Sequence, residues 1–304
     1  MRPELIDAVS LLHKNDAESV EEAIRLLQGT VYAFSMKVCG HPQDAEDTMQ
    51  DVLFGSLAHL AKIRDAKALA VWLYTVTRNR CWRSRRRALH APKQTLSLDE
   101  LMPDEIELAD LLQGSGQNPE QQLLAREQNE LLHKAILSVP PEYRLVLVLH
   151  DVEDLDTEQV AQVLGLLPGT VRVRLHRARL YVRKAMAALL ERASSKTAAE
   201  RPSYPRRRKA RSSRASRQRP PECRTIFANL SEYLDGRLKP ESCDNMRQHI
   251  EACPACVAFI GDLCRAIDRC RTLAIDGSSD LAPRLRSMLT GEYLRLLSTP
   301  VAEK

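Results

Sequence analysis

One segment constrains this chain more than any other: DTEQVAQVLGLLPGTVRVRLHRARLYVRK, from Asp156 to Lys184. Asp156 is placed to cap a helix whose third residue is Gln159, a variant of the capping box. Ala161 is small enough to let a second helix cross closely. Gly165 suits a left-handed turn, and Val171 is positioned to lock the second helix onto the first. The second helix then carries Arg172, Arg174, Arg177, Arg179, Arg183 and Lys184. Such a helix suits a DNA major groove, with phosphate neutralisation supplying affinity and Arg–guanine pairing supplying sequence preference. An ordinary helical hairpin with a solvated basic face would share the charge but not the Ala–Gly–Val spacing. Leu167 stands where a capping Ser is expected. That cap is worth about 1 kcal/mol, and Pro168 at the first helical position offsets part of its loss.

Charge is segregated along the rest of the chain. The 45 basic and 40 acidic residues leave a net charge of only +5. Yet residues 168–184 hold six Lys/Arg and no acid, 201–219 hold nine and no acid, and 94–130 carry nine acids against one Arg. That pattern suggests a negatively charged partner and an acidic linker. The 304 residues suggest two domains, or three small ones. An apolar share of 44% with only 4% aromatics favours helices over aromatic-rich sheets. No apolar run approaches the ~18 residues of a membrane span, and MRPELIDAVSLLHKND lacks the apolar core of a signal peptide. The expectation is a cytoplasmic protein with reduced thiols. Six of the eight cysteines lie between Cys223 and Cys270, which in that setting points to a metal or a redox sensor.

Residues 4–90 read as helices, with apolar positions recurring at three and four: Leu5, Val9, Leu12, then Val20, Ile24, Leu27, Val31, Phe34, Val38. Cys39-Gly40-His41-Pro42 is a helix stop. Further helices are expected over Gln43–His59 and Ala66–Arg87. Residues 91–121, broken by Pro and Gly, read as an acidic linker with one short helix near Asp104–Leu112. A second helical block, 122–193, precedes an Arg/Ser/Pro-rich linker over 194–221 that cannot bury enough apolar surface to fold. Residues 222–304 read as a small C-terminal domain, helical from Cys223 to Leu273 with a last amphipathic stretch at Leu281–Leu297. The fold class is all-α, with a first domain over 1–90.

Within the first domain, DAEDTMQDVLFGSLAHL spaces Asp44, Asp47 and Asp51 along one helix with Glu46 and Gln50 beside them. Val52, Leu53, Leu57 and Leu60 form its apolar face. Downstream, in AVWLYTVTRNRCWRSRRR, Trp72 and Leu73 read as core, and Asn79, Arg80, Arg83, Arg85, Arg86 and Arg87 as candidates for base and phosphate contacts.

These motifs carry a resemblance. The stretch LLHKAILSVPPEYRLVLVLHDVEDLDTEQVAQVLGLLPGTVRVRLHRARLYVRKAM resembles region 4 of the extracytoplasmic-function sigma factors, group 4 of the sigma-70 family. The resemblance implies that the helix running Gly169, Thr170, Val171, Arg172, Val173, Arg174, Leu175, His176, Arg177, Ala178, Arg179 reads a −35 promoter element. The D-A-E-D-x-x-Q-x-V helix is similar to sigma region 2. It implies that Asp44, Glu46, Asp47, Gln50 and Asp51 meet the clamp helices of the RNA polymerase β′ subunit, with the β flap as a further core-polymerase contact. The W-L-x-x-x-x-x-N helix resembles the one that meets the −10 element. It departs from that pattern at Arg83, where the family commonly has Asp. The resemblance covers about residues 15–190.

In the C-terminal domain, His249, Cys253 and Cys256 form an H-x₃-C-x₂-C array able to face one ion. Tetrahedral Zn²⁺ needs a fourth ligand, and Cys223 is the choice. Cys243 lies six residues from His249 on the same helix and is turned off the ligand face, while Cys264 and Cys270 read as core thiols or redox partners. The stretch from Cys223 through NLSEYLDGRLKPESCDNMRQHIEACPACVAFI resembles the zinc-finger anti-sigma domain, whose members grip a sigma factor and hide its polymerase-binding faces. The combined expectation is a non-enzymatic transcription initiation factor with a fused zinc domain acting in cis. Two alternatives stand beside it. One is a helix-turn-helix regulator independent of polymerase, with a structural zinc. The other is a thiol–disulfide enzyme built on Cys253-Pro254-Ala255-Cys256, which lacks a strand context.

Overall fold

A computed structural model describes residues 2–85, 96–102, 121–199, 221–273, 275 and 283–298. Among these residues every regular element is helical, as the apolar periodicity predicts. The first helices are α1 (Pro3–Leu12), α2 (Ala17–Cys39), α3 (Pro42–Leu60), α4 (Ala66–Arg85), the single turn α5 (Leu98–Leu101) and α6 (Gln121–Ser138). Next come α7 (Pro141–Leu147), a π turn over Val148–Val152, α8 (Thr157–Leu164) and the long α9 (Pro168–Ala199). The series closes with α10 (Pro221–Leu234), α11 (Pro240–Ala252), α12 (Pro254–Arg271) and α13 (Pro283–Ser298). The short helix expected near Asp104–Leu112 lies outside the described residues.

Local chemistry sets these boundaries. Asp16 caps α2, its Oδ1 accepting the Ser19 amide at 2.8 Å, and Gly40 ends the helix at φ 78°. Pro42 then opens α3 at a position where its missing N–H costs nothing. The residues expected from periodicity, Val20 through Val38, are the ones α2 buries.

The helices gather into two compact units. The first holds Met1–Gln94, Pro140–Val171 and Arg271–Lys304. Here α2 is central, with α1, α3, α4 and α13 packed on it. The rings of Phe34 and Tyr74 meet at 4.9 Å between centroids. α7 is tied to α2 by Arg144, whose Nη1 donates to the Val38 carbonyl at 2.8 Å.

A buried carboxylate, Glu153, lies within this unit. The π turn places it: the Glu153 amide donates to the Val148 carbonyl at 2.8 Å, and Asp154 follows in the left-handed region at φ 57°. Its carboxylate accepts from Lys37 Nζ at 2.8 Å, Tyr74 OH at 2.8 Å and Arg2 Nε at 3.1 Å. The Lys37 and Glu153 side chains are 1% and 2% exposed, so both charges are out of water. Burial pushes the Lys37 ammonium below its usual value, and the Glu153 carboxylate opposes that shift. Burial also lifts the Tyr74 phenol well above the ordinary tyrosine range.

Helix α13 belongs to this same unit. It packs on α2 and α3 and buries Leu289, Thr290 and Tyr293. Residues 222–304, expected as one domain, are thus divided, because the apolar stripe of α13 is satisfied by α2 and α3 rather than by the cysteine-rich helices.

The second unit holds Thr95–Val139 and Arg172–Cys270. Its core joins the inward face of α9 to α10 and α12. Phe227 and Phe259 meet edge to face at 4.7 Å, with Leu230, Met246, Leu263 and Ile267 buried around them.

Replacing Lys37 by Met is expected to leave Glu153 buried against fewer cations. The loss should be on the order of 3 kcal/mol, seen as a lower denaturation midpoint of the first unit. An unchanged midpoint would show that the pair is not buried as described.

Candidate nucleic-acid interface and metal centre

The helix-turn-helix starts with the predicted capping box. Asp156 Oδ1 accepts the Gln159 amide at 2.8 Å, and Gln159 Oε1 accepts the Asp156 amide at 3.0 Å. Gly165 takes φ 65°, and the Leu166 amide returns to the Ala161 carbonyl at 3.0 Å. Val171 is fully buried, as its locking role requires. Leu167 sits at the cap position of α9: its carbonyl accepts the Val171 amide at 3.1 Å while its side chain is 75% exposed.

Along α9 the basic residues separate onto two faces. Arg172 is exposed, and Arg174 and Arg177 are half-buried, as is Thr170. His176 and Arg179 depart from the sequence expectation of DNA-facing side chains, for both are buried. Arg179 donates Nη1 and Nη2 to the two Asp235 oxygens at 3.0 and 2.9 Å, a fork-to-fork pair. His176 Nδ1 lies 2.9 Å from Ser231 Oγ. Arg183 donates to Asp262 Oδ2 at 3.2 Å and stacks over the Phe259 ring at 4.7 Å. The correction has a simple cause. These residues share the helix face of Leu175, Ala178 and Val182, and α10 and α12 bring two aspartates and a serine to that face. Burial, reinforced by Arg179 and Arg177, drives the His176 pKa down to about 4, so its ring is neutral near pH 7.

On α3, Val52, Leu53, Leu57 and Leu60 are buried, as their pattern predicts. Asp47, Gln50 and Asp51 are exposed and Asp44 and Glu46 half-buried, so the five form an acidic rim along one helix. Phe54, one turn beyond Gln50, is 47% exposed beside them. On α4, Leu73 is buried and Trp72 stacks on His59 at 4.9 Å. Arg80 pairs with Asp51, so one expected DNA contact and one expected polymerase contact neutralise each other here. Asn79 Oδ1 accepts from Arg78 at 2.6 and 3.1 Å. The side chain of Arg83 lies outside the described residues, and so do residues 86 and 87.

At the junction of α11 and α12, His249, Cys253 and Cys256 place their donor atoms within 4.8 Å of one another, with His249 Nε2 3.3 Å from Cys256 Sγ. Zinc–sulfur and zinc–nitrogen bonds of about 2.3 and 2.0 Å put tetrahedral ligand atoms roughly 3.5 Å apart, so the three suit one ion. The turn follows from the sequence: Cys253 ends α11 in extended backbone and Pro254 starts α12, which turns Cys256 back toward His249. Cys223 lies on α10 with its side chain outside the described residues. Cys243 instead directs its thiol to the Leu238 carbonyl at 3.7 Å, off the cluster.

Comparison with known proteins adds independent evidence. The sigma-70 region 2 profile matches residues 23–89, the sigma-70 region 4 profile matches residues 129–182, and a zinc-finger profile matches residues 223–256. The chain thus carries sigma-70 regions 2 and 4 in that order, and the proteins it is similar to include extracytoplasmic-function sigma factors. It is similar to the RNA polymerase sigma factor YlaC of Bacillus subtilis, 27% identical over 169 residues that cover 56% of this chain and 92% of that protein. It is also similar to sigma factor SigW of the same organism, 22% identical over 181 residues, covering 60% and 96% of the two chains. SigE of Mycolicibacterium smegmatis is 29% identical over 169 residues, 56% of this chain and 62% of that one. Among the described residues, no helix is long and apolar enough to cross a membrane.

Arg78, Asp235 and Glu153 carry contacts that sequence reasoning did not single out. Asp235 had a legible signal in the Tyr-Leu-Asp-Gly turn, where Gly236 takes φ 66°. Arg78 and Glu153 had none beyond their charge.

Two outcomes test these contacts. Asp235→Ala is expected to strand a buried guanidinium and destabilise the second unit by on the order of 3 kcal/mol. Asp235→Asn should cost less, because it keeps one acceptor. The depressed His176 pKa also gives a pH dependence with a definite sign. The neutral ring's contribution is complete above the ordinary value of 6.5 and is lost as pH falls toward about 4. Thermal melts of wild type and His176→Asn should therefore converge on acidification; parallel curves over that window would refute the assignment.

Proposed function

We propose that this chain guides core RNA polymerase to promoters through both of its sigma regions, and that its C-terminal segment restrains that activity in cis. The sigma reading is supported by two family matches in the order region 2, region 4, and by the capped helix-turn-helix. In this reading the exposed acids Asp47 and Asp51 and the exposed amide Gln50, with Asp44 and Glu46, meet the polymerase clamp. Asn79, Arg80 and Arg83 approach the −10 element. Thr170, Arg172, Arg174 and Arg177 approach the −35 element, where arginines hold phosphates and guanine edges. Sigma factors act by positioning polymerase and perform no bond chemistry of their own.

The observation that carries the cis restraint is the Arg179–Asp235 pair. A cation of the DNA-directed helix is held, fully buried, by a carboxylate of the zinc-finger segment. His176 is engaged by Ser231 of the same segment, and Arg183 by Asp262 just beyond it on α12. In the first unit, α13 packs on α3, the helix that carries the proposed polymerase-binding acids. His249, Cys253 and Cys256, with Cys223 as fourth ligand, would hold Zn²⁺. The ion would join the α11–α12 junction to α10 and so stiffen the surface that presents Asp235.

The deciding comparison is multi-round transcription by core polymerase over a promoter pool, using the full chain and a 1–195 truncation. The truncation should initiate at least tenfold more transcripts, and zinc chelation should raise the full chain toward it. Equal output under every metal and redox condition would remove the restraint and leave the sigma reading standing. Failure of both proteins to bind core polymerase would favour a polymerase-independent regulator.

A further inference from the structure

The first unit contains a second restraint that does not involve the zinc-finger segment. Glu153, from within the region 4 match, is buried against two region 2 groups, Lys37 of α2 and Tyr74 of α4, and against Arg2 beside α1. Glu4 is the remaining charged group facing this cluster. These partners lie 116, 79 and 151 residues away in sequence, so the cluster ties region 2 to region 4 directly. Its consequence lies on α4. Helix α8 packs against α4, and Arg78 Nη1 donates to the Val163 carbonyl at the end of α8. The remaining donors of Arg78 hold Asn79 Oδ1. A cleft between the two helices is lined by Lys67, Val71, Trp72 and Thr75 on one side and by Glu158 and Gln162 on the other.

Packed helices stand roughly 10 Å apart. Elements named −10 and −35 lie about two turns of duplex apart, on the order of 70 Å. A chain that reads both must therefore draw α8 away from α4, and that motion extracts Glu153 from its cations. We propose that the Glu153 cluster is a latch, holding α8 over α4 in the free chain and opening when polymerase and promoter separate the two regions. This rests on the sigma reading and goes beyond it, since the inhibitory contact lies within the sigma regions themselves. The π turn leads directly into the latch residue: it ends at Val152, and the Glu153 amide closes it on the Val148 carbonyl.

The test places a photoreactive phenylalanine at Gln162 in the full chain. Illumination of the free protein should cross-link α8 to residues 67–75 of α4. With Glu153→Gln the yield should fall at least fivefold, while the helical circular dichroism stays unchanged. Arg78→Ala, at the rim of the contact and away from the buried cluster, should give a smaller fall of about twofold and guards against a variant that fails to fold. Core polymerase with promoter DNA should abolish the cross-link in the bound fraction. A Glu153→Gln yield equal to wild type overturns the latch, and so does a cross-link that persists undiminished in promoter-bound complexes. If the chain never binds polymerase, the sigma reading fails instead, and the comparison of variants in the free chain still decides whether Glu153 holds the two helices together.

Discussion

The first unit is organised around a single carboxylate. Glu153 sits buried with Lys37 and Tyr74, and Arg2 reaches it from the partly exposed rim; each partner comes from a different stretch of chain. A buried ion pair seldom adds much over a well-packed apolar pair, but breaking one is expensive because it strands a charge. The consequence is specificity of arrangement. Apolar helices can slide by a turn with modest loss, whereas Glu153 must hold one position to accept from Lys37, Tyr74 and Arg2 together. α1, α2, α4 and the π turn are therefore held in one register, and α8 is carried with them onto α4.

The second unit uses charge differently. Its long helix α9 has an outer face with the exposed Arg172 and the half-buried Arg174, and an inner face with Arg179 and Arg183, closed by Asp235 and Asp262. The same residue type serves both, and only the partner differs. A carboxylate offered in a forked, buried geometry competes for guanidinium much as phosphate does. In the proposed function, this makes the zinc-finger segment a competitor for one face of a DNA-directed helix without needing to cover its tip.

In the sigma reading, packing governs access to the surfaces for polymerase and DNA. α13 lies on the acidic helix α3, α8 lies on α4, and α10 and α12 lie on α9. Each contact uses a helix with a clear apolar stripe, and each occupies a surface that the sigma reading assigns to polymerase or DNA.

Much of this was legible from residue order. The periodic apolar positions of α2 became its buried face, Asp156 and Gln159 formed their reciprocal cap, Gly40 and Gly165 took left-handed conformations, and His249, Cys253 and Cys256 converged. These are local matters, governed by helix period, cap chemistry and spacings of three to seven residues. What spacing could not decide was which arginine of α9 would face outward. Helical geometry places Arg179 and Arg183 on the side of Leu175 and Val182, but an arginine there is buried only if a carboxylate arrives from elsewhere to hold it. Asp235, Asp262 and the partners of Glu153 arrive from 56, 79 and up to 151 residues away. Their pairing depends on where distant helices come to rest, and the cost of burying an unpaired charge is what makes that placement a property of the tertiary structure alone.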